Sequence, residues 1–154
     1  MEKSLNDFND VAARPAVMAV LARASFAELA DALAALDPVP AARDLRPPET
    51  GLVMLRGRTG GDGAPFNLGE ATVSRATVRL ESGAVGFCYR LGRDVRAARV
   101  AALIDALWQE APRRAAVDAA LAPVTARLAA EDAAVRTETA ATKVDFFTLV
   151  RGED

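Results

Sequence analysis

Histidine is absent from the 154 residues, and cysteine occurs once, as Cys88. Without imidazole the chain has no Ser–His or Cys–His nucleophile pair, no histidine-ligated zinc and no HExxH helix. A single cysteine makes no internal disulfide, no CxxC redox pair and no all-cysteine metal site. Aromatics are only 5% of the residues, and lysine occurs only at Lys3 and Lys143. No apolar run approaches the ~20 residues needed to span a bilayer. The first ten residues are polar and include Glu2, Asp7 and Asp10, so they lack the apolar core of a signal peptide. The expectation is a cytoplasmic protein with no membrane segment. A formal net charge of −2 gives no whole-chain argument for nucleic-acid binding. Any chemistry must come from carboxylates, arginines, hydroxyls or backbone amides, or from another chain.

The chain does have alanine, roughly a fifth to a quarter of all residues, and arginine in large excess over lysine. Both are most simply the coding bias of a GC-rich bacterial genome. The length fits one domain over residues 1–154, which buries about two-thirds of its unfolded surface. Residues 1–13 read as a loose lead-in. Pro15 suits the first turn of a helix whose apolar positions are Val17, Val20, Leu21 and Ala24. Ser25 and Glu28 have the spacing of a capping box, ahead of a second helix with Phe26, Leu29, Leu33 and Leu36 on one stripe.

Four prolines at 38, 40, 47 and 48 mark an extended connector. A short strand begins at Leu52, and Thr59–Gly63 reads as a turn. Ala71–Leu80 and Ala84–Leu91 alternate with period 2 and form an antiparallel hairpin. Asp94 caps a helix with Val100, Leu103, Ile104, Leu107 and Trp108 on its stripe, ending at Pro112. Residues 114–140 are an Ala-dominated helix with a possible break near Pro123 and little bulk, which needs a neighbour to hold it. Val144–Val150 is β-prone. The order ααβββαα predicts an α+β fold, a small antiparallel sheet packed with N- and C-terminal helices.

The candidate sites are few. Gly60, Gly61 and Gly63 form a loop whose amides could cradle an anion, although the Walker Lys and Ser/Thr are missing and a plain turn is the simpler reading. Arg75, Arg79 and Arg90 are expected on one strand face, which is either a solvated face or a contact for an acidic surface or polyphosphate. Asp105 is a lone acid, which is weak support for acid–base work. Glu131 and Asp132 read as solvated charges and Cys88 as a small buried hydrophobe. Consecutive strand residues face opposite ways, so Phe146 and Phe147 cannot both enter one core. Val144, Phe146, Phe147 and Leu149 are therefore subunit-interface candidates. No catalytic or metal-ligating residue emerges.

Several blocks, in order, resemble one family. They are Glu49–Val53, Gly60–Val73, Arg75–Leu80, Tyr89–Asp94, Ala102–Leu107 and Lys143–Gly152, together with Ala27–Ala30. Their spacing is similar to that of the G subunit of the bacterial carbon–phosphorus lyase system, the PhnG family. The resemblance implies a hetero-oligomeric core complex with H, I and J subunits, acting in organic phosphonate catabolism. It implies that G, H and I, aided by L, displace adenine from MgATP with a phosphonate to give a ribose 1-phosphonate 5-triphosphate. It places an iron–sulfur cluster and S-adenosylmethionine on J, no cofactor on this chain, and catalytic residues on its partners. The alternative is a free-standing anion-binding or regulatory module.

Overall fold

The computed structural model describes residues 5–60 and 62–142. Helix α1 spans Leu5–Arg23 and holds Pro15 inside it. The loose lead-in expected over residues 1–13 is thus helical from Leu5. Pro15 removes only the backbone bond to the carbonyl four residues back, and the helix continues ahead of it. Helix α2 spans Phe26–Ala34, and its capping box forms in full. The Ser25 N–H donates to Glu28 Oε2 at 2.8 Å, and the Glu28 N–H donates to Ser25 Oγ at 3.2 Å. Leu21, Ala24, Leu29 and Leu36 are buried, at the helical spacing the sequence shows.

Three antiparallel strands follow, in the spatial order β1-β2-β3: β1 Ala42–Arg58, β2 Pro65–Leu80 and β3 Val85–Leu91. The proline-rich connector expected over 38–50 is therefore strand from Ala42 on. Pro47 and Pro48 fall in the register shift between Arg46 and Glu49, and β1 is an edge strand. There a missing N–H breaks no ladder, and the shift absorbs the fixed φ. β2 begins at Pro65 rather than Ala71, because Pro65–Glu70 pairs with β1 despite its loop-like residues. β3 pairs with β2 only between Val73 and Arg79. Beyond that point β1 and β2 run on as a two-stranded ribbon.

Helix α3 spans Val95–Gln109, capped by Asp94, whose side chain accepts the Ala97 N–H at 3.0 Å. It is buried on both sides. Of the expected stripe, Leu103, Ile104, Leu107 and Trp108 are inside and Val100 is partly buried against the core, while Ala98, Ala102 and Asp105 on the other side are buried too. Its alanines let the sheet come close. A Cβ built on Gly86 of β3 would collide with the Ala102 carbonyl and Ala106. Ala76, Val78, Leu80 and Cys88 meet α3 from the sheet side in one cluster with Leu21, Leu29, Val117 and Leu121. Helix α4 spans Arg114–Ala141 without a break at Pro123. Leu121, Val124 and Leu128 anchor it on both sides of the proline, and after Asp132 its residues are exposed. The result is a three-stranded antiparallel sheet with N- and C-terminal helices packed on one face, an α+β fold.

Candidate functional site

The register of the sheet decides which arginines share a face. Directly opposed residues on neighbouring strands point the same way. Arg75 opposes Tyr89, and Arg79 opposes Val85, whereas Arg90 opposes Ser74. Ser74, Ala76, Val78 and Leu80 face the helices. Arg75 and Arg79 therefore lie on the outer face and Arg90 on the helix side, which corrects the expectation that all three project together. An odd and an even position of two strands in this register cannot meet on one side.

On the outer face other residues take the place of Arg90. Arg43 of β1 is directly opposite Arg79. Arg46 donates to the Tyr89 hydroxyl at 3.4 Å and lies 3.8 Å from Glu49. Arg75 donates to Glu49 Oε1 at 2.8 Å, a bond that holds its guanidinium pKa above the ordinary value. Gly51 lies under this guanidinium, where a Cβ would stand 3.4 Å from Arg75 Cζ. Glu49 thus neutralises part of the cluster. Arg43 and Arg79 are both exposed and, among the described residues, neither has a charge or hydrogen-bond partner. They line a cleft of about 430 Å³ with Ala41, Ala42, Leu80, Glu81 and Gly83. Two like charges in direct opposition repel unless water or an anion stands between them.

Arg90 has a different task. Its Nη2 donates to the Ala24 carbonyl at 2.7 Å, at the C-terminal end of α1, where a positive charge is favoured. Its Nε and Nη1 are buried without partners, as is the Ser74 hydroxyl. The glycine loop is at the other end of the sheet. Gly60 has φ +62°, and the Gly63 N–H bonds back to the Thr59 carbonyl at 3.0 Å. Arg58 Nη1 donates to the Gly63 carbonyl at 3.1 Å, while Gly61 lies outside the described residues. Arg79 lies fourteen residue steps along β2 from Pro65 beside the loop, roughly 45 Å at ~3.3 Å per residue. No single triphosphate spans that distance, so the loop and the Arg79 end are two separate places.

The carboxylates act as structural ties. Asp105 is fully buried and accepts Arg14 Nη2 at 2.7 Å, Arg14 Nε at 3.0 Å and the Phe87 N–H at 3.0 Å. It joins α1, α3 and β3. Glu28 accepts Arg127 Nε at 2.6 Å and Nη2 at 2.9 Å. With Arg127 and then the Ser25 N–H bonded to it, its pKa is held at about 2, below the ordinary 4.5. Glu131 and Asp132, expected as solvated charges, bond Arg127 at 2.6 Å and Arg23 at 2.7 Å. Cys88 is buried, and that burial pushes its thiol up to about 11. Among the described residues no group of three or more His, Cys, Asp or Glu is placed to hold a metal ion. The interface candidates Val144, Phe146, Phe147 and Leu149 lie outside the described residues. Arg43, Arg46 and Glu49 went unnoticed in the sequence because the prolines around them read as connector; their pairing with Arg79, Thr77 and Arg75 shows only once the register is known.

Residues 12–152 match the family described as phosphonate metabolism protein PhnG. A relative from Rhizobium meliloti (strain 1021), the alpha-D-ribose 1-methylphosphonate 5-triphosphate synthase subunit PhnG, is 57% identical over 149 residues. That match covers 97% of this chain and 96% of the relative. The chain belongs to the PhnG family of phosphonate metabolism proteins.

Proposed function

We propose that this chain, folded as one domain, is a subunit of a ribose 1-phosphonate 5-triphosphate synthase in phosphonate breakdown, and that it contributes contacts rather than the reacting groups. The observation that carries this reading is the 57% identity, over 97% of the chain, to a synthase subunit. The residues agree with it. The buried acid Asp105 is committed to Arg14 and a backbone amide, and Glu28 to Arg127. Neither is free to move a proton for a substrate.

The finer assignments follow from the family resemblance. The partners are the H, I and J subunits of a cytoplasmic complex, with L assisting the first step. MgATP is the nucleotide of that step. The iron–sulfur cluster and S-adenosylmethionine belong to J, and this chain holds no cofactor of its own. Within the subunit, the part suited to an anionic group is the outer sheet face at Arg43 and Arg79, since guanidinium forks match phosphate and carboxylate oxygens. Arg75 is already paired with Glu49 and Arg90 faces inward, so both are less suited to an anion than Arg79.

Co-expression with the H and I subunits tests the reading. The expected result is a stoichiometric complex that survives size exclusion. Recovery of this chain as a free species, with H and I assembling normally without it, contradicts the reading.

A further inference from the structure

Among the described residues, the ribbon formed by β1 and β2 beyond the end of β3 carries a concentration of exposed large apolar side chains. β3 leaves the sheet at Leu91 and Gly92, where the Gly92 N–H makes a last bond to the Thr72 carbonyl at 2.9 Å. Among the described residues, the edge of β2 from Pro65 to Ala71 that faces away from β1 has no neighbouring strand. The same stretch carries exposed bulk: Leu52 59%, Met54 52%, Leu55 41%, Phe66 44% and Leu68 66%. Leu52 and Met54 share the side of Thr50 and Ser74, the side that α3 covers further along the sheet. Leu55 points to the other side, Phe66 pairs with Gly57, and Leu68 is the β2 residue without a β1 partner at the register shift between Leu55 and Arg56. A two-stranded ribbon alone is marginal in water.

We propose that this ribbon is a docking arm, and that its occupant is a sister subunit of the synthase presenting an apolar groove. The inference rests on the subunit reading above. Covering the exposed parts of the five side chains removes on the order of 500 Å² from water. Summed over both sides of the ribbon, that is more than half of the ~800 Å² each partner buries in a stable interface. The unpaired edge of Pro65–Ala71 adds backbone donors and acceptors that a partner strand can meet. Outside the ribbon, the outer edge of β1 is interrupted by Pro47, Pro48 and two register shifts, which limits strand pairing there.

The test uses the complex co-expressed with the H and I subunits. Met54→Glu/Leu68→Glu changes two side chains that are more than half exposed, so the free chain should keep wild-type circular dichroism and thermal midpoint. Its co-purification with the sister subunits should fall at least tenfold. Leu91→Glu, 73% exposed on β3 but outside the ribbon, should assemble like wild type. A Leu68→Cys variant bearing a benzophenone maleimide should crosslink to a sister subunit, and the label goes to position 68 because Cys88 is buried. Full assembly of Met54→Glu/Leu68→Glu overturns the docking arm while leaving the subunit reading intact. A crosslink to a second copy of this chain, or equal loss of assembly in Leu91→Glu, also overturns it. Failure of the wild-type chain itself to assemble overturns the subunit reading instead.

Discussion

Gly86 lies where β3 passes against α3, and the space for a Cβ there is already taken by the Ala102 carbonyl and Ala106. Backbone, unlike a flexible side-chain end, cannot step aside cheaply. Gly86→Ala should cost about 3 kcal/mol, lowering the thermal midpoint by roughly 6–12 °C for a chain of this size. Gly69→Ala, with nothing within 4 Å of the new methyl, should be neutral or stabilising by up to about 1 kcal/mol. Calorimetry on the pair separates close approach from glycine content as such. Glu28 gives a second residue-level prediction. Its folded pKa of about 2 is below the ordinary 4.5. The stability it contributes is therefore present above pH 4.5 and is lost as the pH falls toward 2. Glu28→Gln should flatten the urea midpoint across that window, and removing Arg127 should do the same. Asp105→Asn would leave Arg14 beside a neutral, buried amide, and chemical denaturation should register a loss of about 3 kcal/mol.

The elements were legible in the sequence where a local pattern was also the deciding interaction. Ser25 and Glu28 cap each other three residues apart, and Asp94 bonds the amide three residues on, so both helix starts could be read directly. Ala76–Leu80 against Gly86–Cys88 alternated cleanly because one side is buried. The pattern failed where partners distant in sequence override local preference. Pro47 and Pro48 signal loop, yet fourteen β2 residues pair with β1 and draw the strand back to Ala42. Pro123 signals a break, yet Leu121, Val124 and Leu128 hold the helix through it. The arginine face was half legible for the same reason. Which residues lie on a strand face follows from sequence parity, but which strands' faces coincide follows from register, and that exchanged Arg90 for Arg43 and Arg46. Arg79→Glu converts the opposed pair with Arg43 into an attractive one. It should stabilise the free chain by about 0.5–1 kcal/mol at low salt, with the gain shrinking in thermal melts at high salt.

At the scale of the whole molecule, the chain uses most of its charged groups to hold itself together and, among the described residues, leaves an apolar ribbon exposed. Bridges Arg14–Asp105, Arg23–Asp132 and Arg127–Glu28 tie α1 to α3, α1 to α4 and α4 to the start of α2. Such an allocation suits a protein whose surroundings are other subunits. The chain has no histidine, so any proton transfer it makes itself would fall to carboxylates. The most direct test is adenine release from MgATP and a phosphonate by the H and I subunits, with L, measured with and without this chain. The account predicts that release requires the chain, and that Arg14→Lys or Glu28→Gln subunits, once assembled, restore it. Undiminished adenine release without the chain would contradict the account.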